Sequence, residues 1–262
     1  MEVSMNDLCN INREIYNTRY SGEYLSLSRE GMLPYDKEMV NMRLGLLRKY
    51  GPGKNVLDLC CGTGAYLRQE KGIFRRAIGL DFSSKMLKVF AEELSGNRSG
   101  DICLIECDAR RISLRSETID FVFSYTSLYH IPQVELAISE MGRVLKSGGV
   151  AVFELGNLRS LNTFVCNTTH RTQGIGKPFH IPYEMMLAMI SDARLTILEQ
   201  RAFQILPMWG PTPLWVRPFS QWAFWKRILG VKIGGRMLDE RISSCWPLRF
   251  FAFRHLFICR KE

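Results

Sequence analysis

The chain has 262 residues, of which 46% are hydrophobic and 23% charged, enough for one large α/β domain that buries a core. The formal net charge is +9, and Arg201–Glu262, with eleven Lys/Arg against three Asp/Glu, carries +8 of it. Such a basic C-terminal quarter suits an anionic substrate, a membrane surface or nucleic acid, and a solvated basic face suits it equally.

The opening stretch, MEVSMNDLCNINREIY, lacks a basic region followed by an apolar run, so a secretory signal is not expected. No apolar run reaches the roughly 18 residues that a spanning helix needs. The eight cysteines then read as reduced thiols in a cytoplasmic protein.

In chain order, residues 1–50 are expected to be helical, with Met39, Met42, Leu46 and Leu47 at helical spacing. Gly51-Pro52-Gly53 stops that helix. Short apolar runs then alternate with helical stretches. The runs are Asn55–Cys60, Ala77–Asp81, Ile102–Cys107, Phe121–Tyr125 and Val150–Leu155, and between them lie Ala65–Glu70, Ser83–Ser95 and Gln133–Leu145. This rhythm predicts an α/β fold whose mostly parallel sheet is doubly wound, with helices on both faces. Beyond it, Asn157–Pro178 is polar and glycine-bearing and reads as a lid loop, Pro182–Ala193 as a helix, and Leu195–Ile205 and Phe250–Lys261 as strands. Between those strands, 207–247 holds all five tryptophans among Pro and Arg.

Residues 56–64, VLDLCCGTG, admit several chemistries. Adjacent Cys60 and Cys61 are poor joint ligands for one tetrahedral ion, and no CxxC or nearby histidine assists them, so no metal is expected. A P-loop would need a Lys after Gly64, and a dinucleotide loop would need a third glycine where Ala65-Tyr66-Leu67 stands. Only glycine lets a ligand lie directly on the backbone of such a strand-to-helix turn. Asp58, four residues before Gly62, would repel a pyrophosphate and favour an ammonium or sulfonium. S-adenosylmethionine carries both and no phosphate.

VLDLCCGTGAYL resembles the first motif of the class I S-adenosylmethionine-dependent methyltransferases, and further motifs follow in that family's order. Ile78–Ser83 ends the second strand with Asp81, which the resemblance assigns to the ribose hydroxyls, with Phe82 packing on the adenine. Ser84–Leu87, with Met86, opens the next helix as in many members. Cys107-Asp108-Ala109 resembles the segment whose acid and following amide meet the adenine. FVFSYTSLYHI, residues 121–131 and including Ser124, resembles the fourth motif, and Leu145–Gly149 the turn before the fifth strand. Cys60, Gly62 and Gly64 would approach the cofactor through their backbone. The resemblance covers about Asn55–Leu155. It implies a seven-stranded sheet whose last strand is antiparallel, with Leu195–Ile205 and Phe250–Lys261 as strands six and seven. It also suggests three parts: a helical cap at 1–50, the cofactor core at 51–155, and a remainder at 156–262 that carries the lid (156–181) and a substrate insertion (207–247).

Methyl transfer needs orientation above all, and a base only where the acceptor must lose a proton. His130, just after the fourth strand, is the leading base candidate, with a structural role as its competitor. Tyr129 either acts or lines the pocket, and His170 and His180 rank behind. Ser124–Ser127 is not the Asn/Asp-Pro-Pro-Tyr form used on nucleic-acid bases, so nucleic acid is disfavoured as partner and a small-molecule acceptor (metabolite, lipid-like compound or glycan) is expected. Trp222, Trp225, Lys226 and Leu229 lie at helical spacing. The composition of 207–247 fits a pocket wall, peripheral membrane contact, protein contact or base stacking. The competing functions are a non-catalytic S-adenosylmethionine-binding scaffold or partner activator, and a nicotinamide oxidoreductase, which Asp58 and the missing glycine disfavour.

Overall fold

A computed structural model of the chain describes residues 10, 11, 13–20, 32–95, 102–173, 178–206 and 223–262. The strands are β1 (Asn55–Leu59), β2 (Arg76–Asp81), β3 (Ile102–Glu106), β4 (Ile119–Ser124), β5 (Leu145–Gly156), β6 (Leu195–Phe203), the short β7 (Lys232–Ile233) and β8 (Arg236–Met237), and β9 (Arg254–Lys261). The helices are α1 (Pro34–Tyr50), α2 (Ala65–Gln69), α3 (Ser84–Ser95), α4 (Val134–Val144), α5 (Leu161–Gln173), α6 (Tyr183–Asp192), α7 (Ala223–Leu229) and α8 (Leu238–Ser244). Seven strands form one sheet in the order β3-β2-β1-β4-β5-β9-β6, and β7 and β8 pair separately. The strands β1 to β5 run parallel, and β9 runs antiparallel between β5 and β6. This is the doubly wound, mostly parallel sheet expected, and a class I methyltransferase-like fold. No helix among the described residues is long and apolar enough to cross a membrane.

The near-continuous apolar strands are explained by burial on both faces. Successive side chains alternate. Val122, Phe153 and Phe257 pack with Ile138 and Met141 of α4 and Met186 and Ile190 of α6. Phe121, Phe123, Val152 and Leu256 point the other way, to Met39, Leu46 and Leu47 of α1, Phe90 of α3 and Leu229 of α7.

Three expectations are corrected. Asn157–Pro178 is not a loop: α5 runs through most of it. Ser160 Oγ accepts from the Asn162 amide at 3.1 Å, an N-cap, and the apolar spacing of Leu161, Phe164 and Val165 carries the first turns. The final strand begins at Arg254 rather than Phe250, which lies in a 3-10 turn, Leu248–Phe251. The sixth ends at Phe203, because Gln204 takes φ +64°.

Residues 207–222, with Trp209, Trp215 and Trp222, lie outside the described residues, as does the side chain of Trp225. The described remainder of 207–247 packs back on α1. Lys226 Nζ lies 3.0 Å from Asp36, Lys232 pairs with Glu38, and Tyr35 donates to the buried Asp239 at 2.8 Å. Tyr35 therefore belongs to the core.

The buried stripe of α1 contains one charge, Arg43. Its Nε and Nη2 donate to the two oxygens of Glu154 on β5, at 2.7 and 2.9 Å, and its Nη1 to Tyr66 at 3.1 Å. Arg254, the first residue of β9, donates to Glu154 at 3.2 Å and to the Tyr129 hydroxyl at 3.1 Å. Burial opposes ionisation of Glu154, but Arg43 and Arg254 outweigh it and hold its carboxyl below the ordinary range. The stability this group contributes is thus present above its unfolded pKa and lost as pH falls through the lower native one. Truncation that leaves the arginines buried is expected to be severe: Glu154→Ala lowers stability by about 3–5 kcal/mol, read from urea unfolding, with Glu154→Gln intermediate.

Candidate functional site

The turn from β1 to α2 takes a left-handed backbone three times in five residues: φ is +62° at Cys60, +55° at Gly62 and +69° at Gly64. The two glycines serve different ends. A Cβ on Gly64 would lie 2.1 Å from the Phe90 ring of α3, so its absence lets helix and turn close. A Cβ on Gly62 would meet nothing within 4 Å, which leaves an open backbone face at the carboxyl edge of the sheet, where ligands of such folds bind.

The turn is not a phosphate cradle. The Cys61 amide donates to Leu80 O at 3.0 Å, that of Gly64 to Cys61 O at 2.9 Å, and that of Gly62 to Asp81 Oδ2 at 2.8 Å. Three of the amides that an anion nest would offer are thus engaged within the protein.

Two buried carboxylates stand beside this face. Burial raises the pKa of Asp81 to about 6, against the hydrogen bonds from the Ser83 and Gly62 amides. Asp58 is pushed well up by burial and then by the neighbouring Asp81. In both, burial disfavours the ionised form, which a bound cation would favour. Burial and these same acids also raise the thiols of Cys60 and Cys61 far above their usual range, so neither is a ready thiolate. Among the described residues no group of three His, Cys, Asp or Glu is placed to hold a metal ion.

The remaining residues singled out in the sequence fall as follows. Phe82 is flanked by the Tyr16 ring, edge-on at 5.8 Å, and by the Arg13 guanidinium at 5.8 Å. Met86 is buried in the first turn of α3, its amide donating to Ser83 Oγ at 3.2 Å. Asp108 is half-buried. Burial alone would raise its pKa, but hydrogen bonds from Arg110 bring it below the ordinary value, the closest guanidinium contact being 2.7 Å. Ala109 is buried. Ser124 donates to Leu59 O at 2.8 Å, tying the end of β4 to that of β1.

His130 ends a short 3-10 turn, Leu128–His130. Its ring lies 5.8 Å from Tyr16 and 4.6 Å from Tyr129. Tyr129 is buried and packs on His180 at 5.7 Å, and His180 on Phe253 at 5.1 Å. The side chain of His170 lies outside the described residues. The structure thus brings Asp58, Asp81, Phe82, Gly62 and His130 to one sheet edge, while Ser124 and Asp108 already have protein partners.

Sequence reasoning missed two parts. One is the contact of the segment at 13–20, inside the expected helical cap, with the end of β2, where Asn17 accepts from Ser83 Oγ at 2.6 Å. The other is the Arg43–Glu154–Arg254 group. Its signal was readable: each charge interrupts an apolar pattern, Arg43 in the stripe of α1, Glu154 in VAVFELG and Arg254 in FAFRHLFIC.

Residues 57–153 match the family model described as a methyltransferase domain. Among curated proteins, the demethylmenaquinone methyltransferase of Staphylococcus carnosus is 42% identical over 103 residues, covering 38% of this chain and 42% of its own length. That of Geobacillus kaustophilus is 34% identical, covering 38% of this chain and 44% of its own length. The chain thus matches less than half the length of these relatives. Among solved structures, geranyl diphosphate C-methyltransferase from Streptomyces coelicolor, bound to Mg2+, geranyl diphosphate and S-adenosylhomocysteine, shares the fold. Its TM-score is 0.61 at 15% identity, over 97% of this chain and 98% of that one. Phosphoethanolamine N-methyltransferase 2 of Haemonchus contortus gives a TM-score of 0.63 at 18% identity, over 100% of this chain and 61% of that one.

Two outcomes follow for the ligand-free protein. The native pKa of Asp81 lies above its unfolded value. Its contribution to stability is therefore full below about pH 4, and about 3 kcal/mol of it is lost as pH rises through 6. Asp58→Asn removes a carboxyl whose ionised form burial and the neighbouring Asp81 oppose, and is expected to raise the urea midpoint at pH 7.5. Gly64→Ala lowers stability by at least about 1–3 kcal/mol, and Phe90→Leu in the same chain recovers part of the loss.

Proposed function

We propose that this chain, whose residues 57–153 match a family model described as a methyltransferase domain, is an S-adenosylmethionine-dependent methyltransferase that transfers a methyl group to oxygen or nitrogen of a small-molecule acceptor. The observation that carries this reading is the pair of buried carboxylates with raised pKa, Asp58 and Asp81, beside the open face of Gly62, whose own amide already donates to Asp81. A cationic nucleoside fits that site and a pyrophosphate does not.

The residues present suit S-adenosylmethionine. Asp81 would accept from the ribose hydroxyls, Asp58 would face the positive charge, Phe82 would pack on the adenine, and Asp108 with the Ala109 amide would meet its edge. When bound, the cofactor supplies a methyl group on a cationic sulfur. The chain contributes placement, which is worth about 7–11 kcal/mol where the reacting atoms are held in line. His130 would take the acceptor proton when the acceptor is a hydroxyl, since imidazole titrates near neutrality. Tyr129, held by Arg254, lines the approach. A small-molecule acceptor is also what the names of the curated relatives suggest, since demethylmenaquinone is one.

Isothermal titration with S-adenosylhomocysteine tests the cofactor. Binding is expected for the parent chain, reduced about 10–100-fold or lost in Asp81→Ala. The affinity should also fall as pH drops through about 6, where Asp81 takes up its proton. Absence of binding to the parent would sink the reading. His130→Ala is expected to slow turnover about 10²–10⁴-fold with S-adenosylhomocysteine affinity intact, and unchanged turnover removes His130 as base.

A further inference from the structure

The large apolar side chains that the described surface exposes are not scattered. Six of the twelve, Leu158, Leu161, Phe164, Trp246, Leu248 and Phe251, lie in two short segments and are 39–75% exposed. Asn157 fastens those segments together where β5 ends and β9 is about to begin. Its side-chain amide donates to Phe250 O at 2.8 Å and to Ala252 O at 2.9 Å, and its backbone amide to Phe253 O at 2.8 Å. Leu158, Leu161, Phe164 and Phe251 consequently line one open groove. Leu248 and Phe251 bound a 3-10 turn, in which residues three apart share a face. Trp246, 75% exposed, stands just before that turn. Apolar side chains of this size gathered at one place on a surface mark an interaction site.

The charge around the patch indicates what it meets. No Asp or Glu occurs from Leu155 to Tyr183 or from Arg241 to Lys261, in a chain 26 of whose 262 residues are acidic. Both segments therefore lie in acid-free stretches, and the charges they carry are Arg159 and Arg249. Arg249 stands over the Phe250 ring at 5.3 Å and has no carboxylate partner among the described residues. Arg159 pairs with Glu184, just past the first stretch, at 2.7 Å, but both side chains are 56% exposed. Such a pair holds weakly, and a guanidinium binds phosphate in the same bidentate way as carboxylate. A second copy of the chain would bring the same cations against each other. Tryptophan, with an apolar body and a polar N–H, suits the boundary between hydrocarbon and water, and leucine, phenylalanine and arginine around it complete the composition of a surface that lies in a lipid headgroup layer.

We propose that this patch docks on an anionic phospholipid bilayer, with Trp246, Leu248, Phe251 and Phe164 entering the headgroup region and Arg249 and Arg159 meeting lipid phosphates. The contact is peripheral and reversible, since it consists of a few side chains and two cations. It does not rest on the methyltransferase reading.

The test is cosedimentation of the whole chain with phosphatidylcholine vesicles, with and without phosphatidylglycerol, at low and at high salt. Binding is expected with phosphatidylglycerol at low salt, and weaker at high salt. Trp246→Ser and Phe164→Ser, at exposed positions, should each lower the partition coefficient about 5–10-fold, and Arg249→Gln about fivefold. Leu198→Ser, 45% exposed on the amino half of β6, should leave it unchanged. Absence of binding at low salt overturns the proposal, as does equal binding to phosphatidylcholine alone. Binding that the three patch variants retain, or that Leu198→Ser loses equally, also overturns it. So does a molecular mass that rises with concentration in the parent and not in Trp246→Ser, which gives the patch to a second copy. Titration of the same parent with S-adenosylhomocysteine reads the cofactor separately, so either reading can fail while the other stands.

Discussion

Two arginines from opposite ends of the chain meet one glutamate in the interior. Arg43 reaches in from α1, Arg254 from the start of β9, and Glu154 receives both at the end of β5. A buried charge is tolerable only when its partners and hydrogen bonds are complete, so these three elements can sit in only one way relative to each other. The group extends into the candidate site. Arg43 also holds Tyr66, which follows the glycine turn, and Arg254 holds Tyr129, which follows β4. The Thr126 amide donates to the same carboxylate. Disturbing Glu154 would therefore loosen both loops that face the ligand, along with the N-terminal helix that covers that side of the sheet.

The contrast with Asp58 and Asp81 shows what a guanidinium partner does to a buried acid. All three carboxylates are buried, yet their pKa values move in opposite directions. Glu154 is held below its ordinary range because two guanidinium groups outweigh burial. Asp58 and Asp81 are held above theirs because burial dominates, with the charge of Asp81 adding to it at Asp58. The first pattern stabilises the fold. The second weakens the ligand-free protein and leaves a preference for positive charge at one point of the surface, a trade of stability against binding that recurs at functional sites.

The solved structures that share this fold are under 20% identical to the chain and carry different acceptors in their names. A fold of this kind positions a turn and an edge; the acceptor is chosen by what is built around them. Around the glycine turn of this chain stand the Phe82, Tyr16, His130 and Tyr129 rings and the helical segment at 13–20. That segment, with Tyr16, falls outside residues 57–153.

Legibility in the sequence follows the range of the interaction. Strand-to-helix alternation, the glycine turn and the acid at the end of β2 are local patterns, set by side-chain periodicity and by the backbone that only glycine adopts without strain. The order and hand of the parallel strands follow from them by general rules of connection. The polar composition of the α5 segment reads as a loop because Asn and Thr are weak helix formers, while the Ser160 cap and the burial of Val165 favour the helix. The Arg43–Glu154–Arg254 group left only a faint trace, a charge in each of three apolar runs. Which charges pair depends on contacts more than a hundred residues apart. The sequence by itself thus determined the class of fold, the cofactor turn and the acids beside it. Tertiary structure alone decided which of the carboxylates is neutralised, because burial and the approach of a guanidinium are properties of distance in space and not of spacing along the chain.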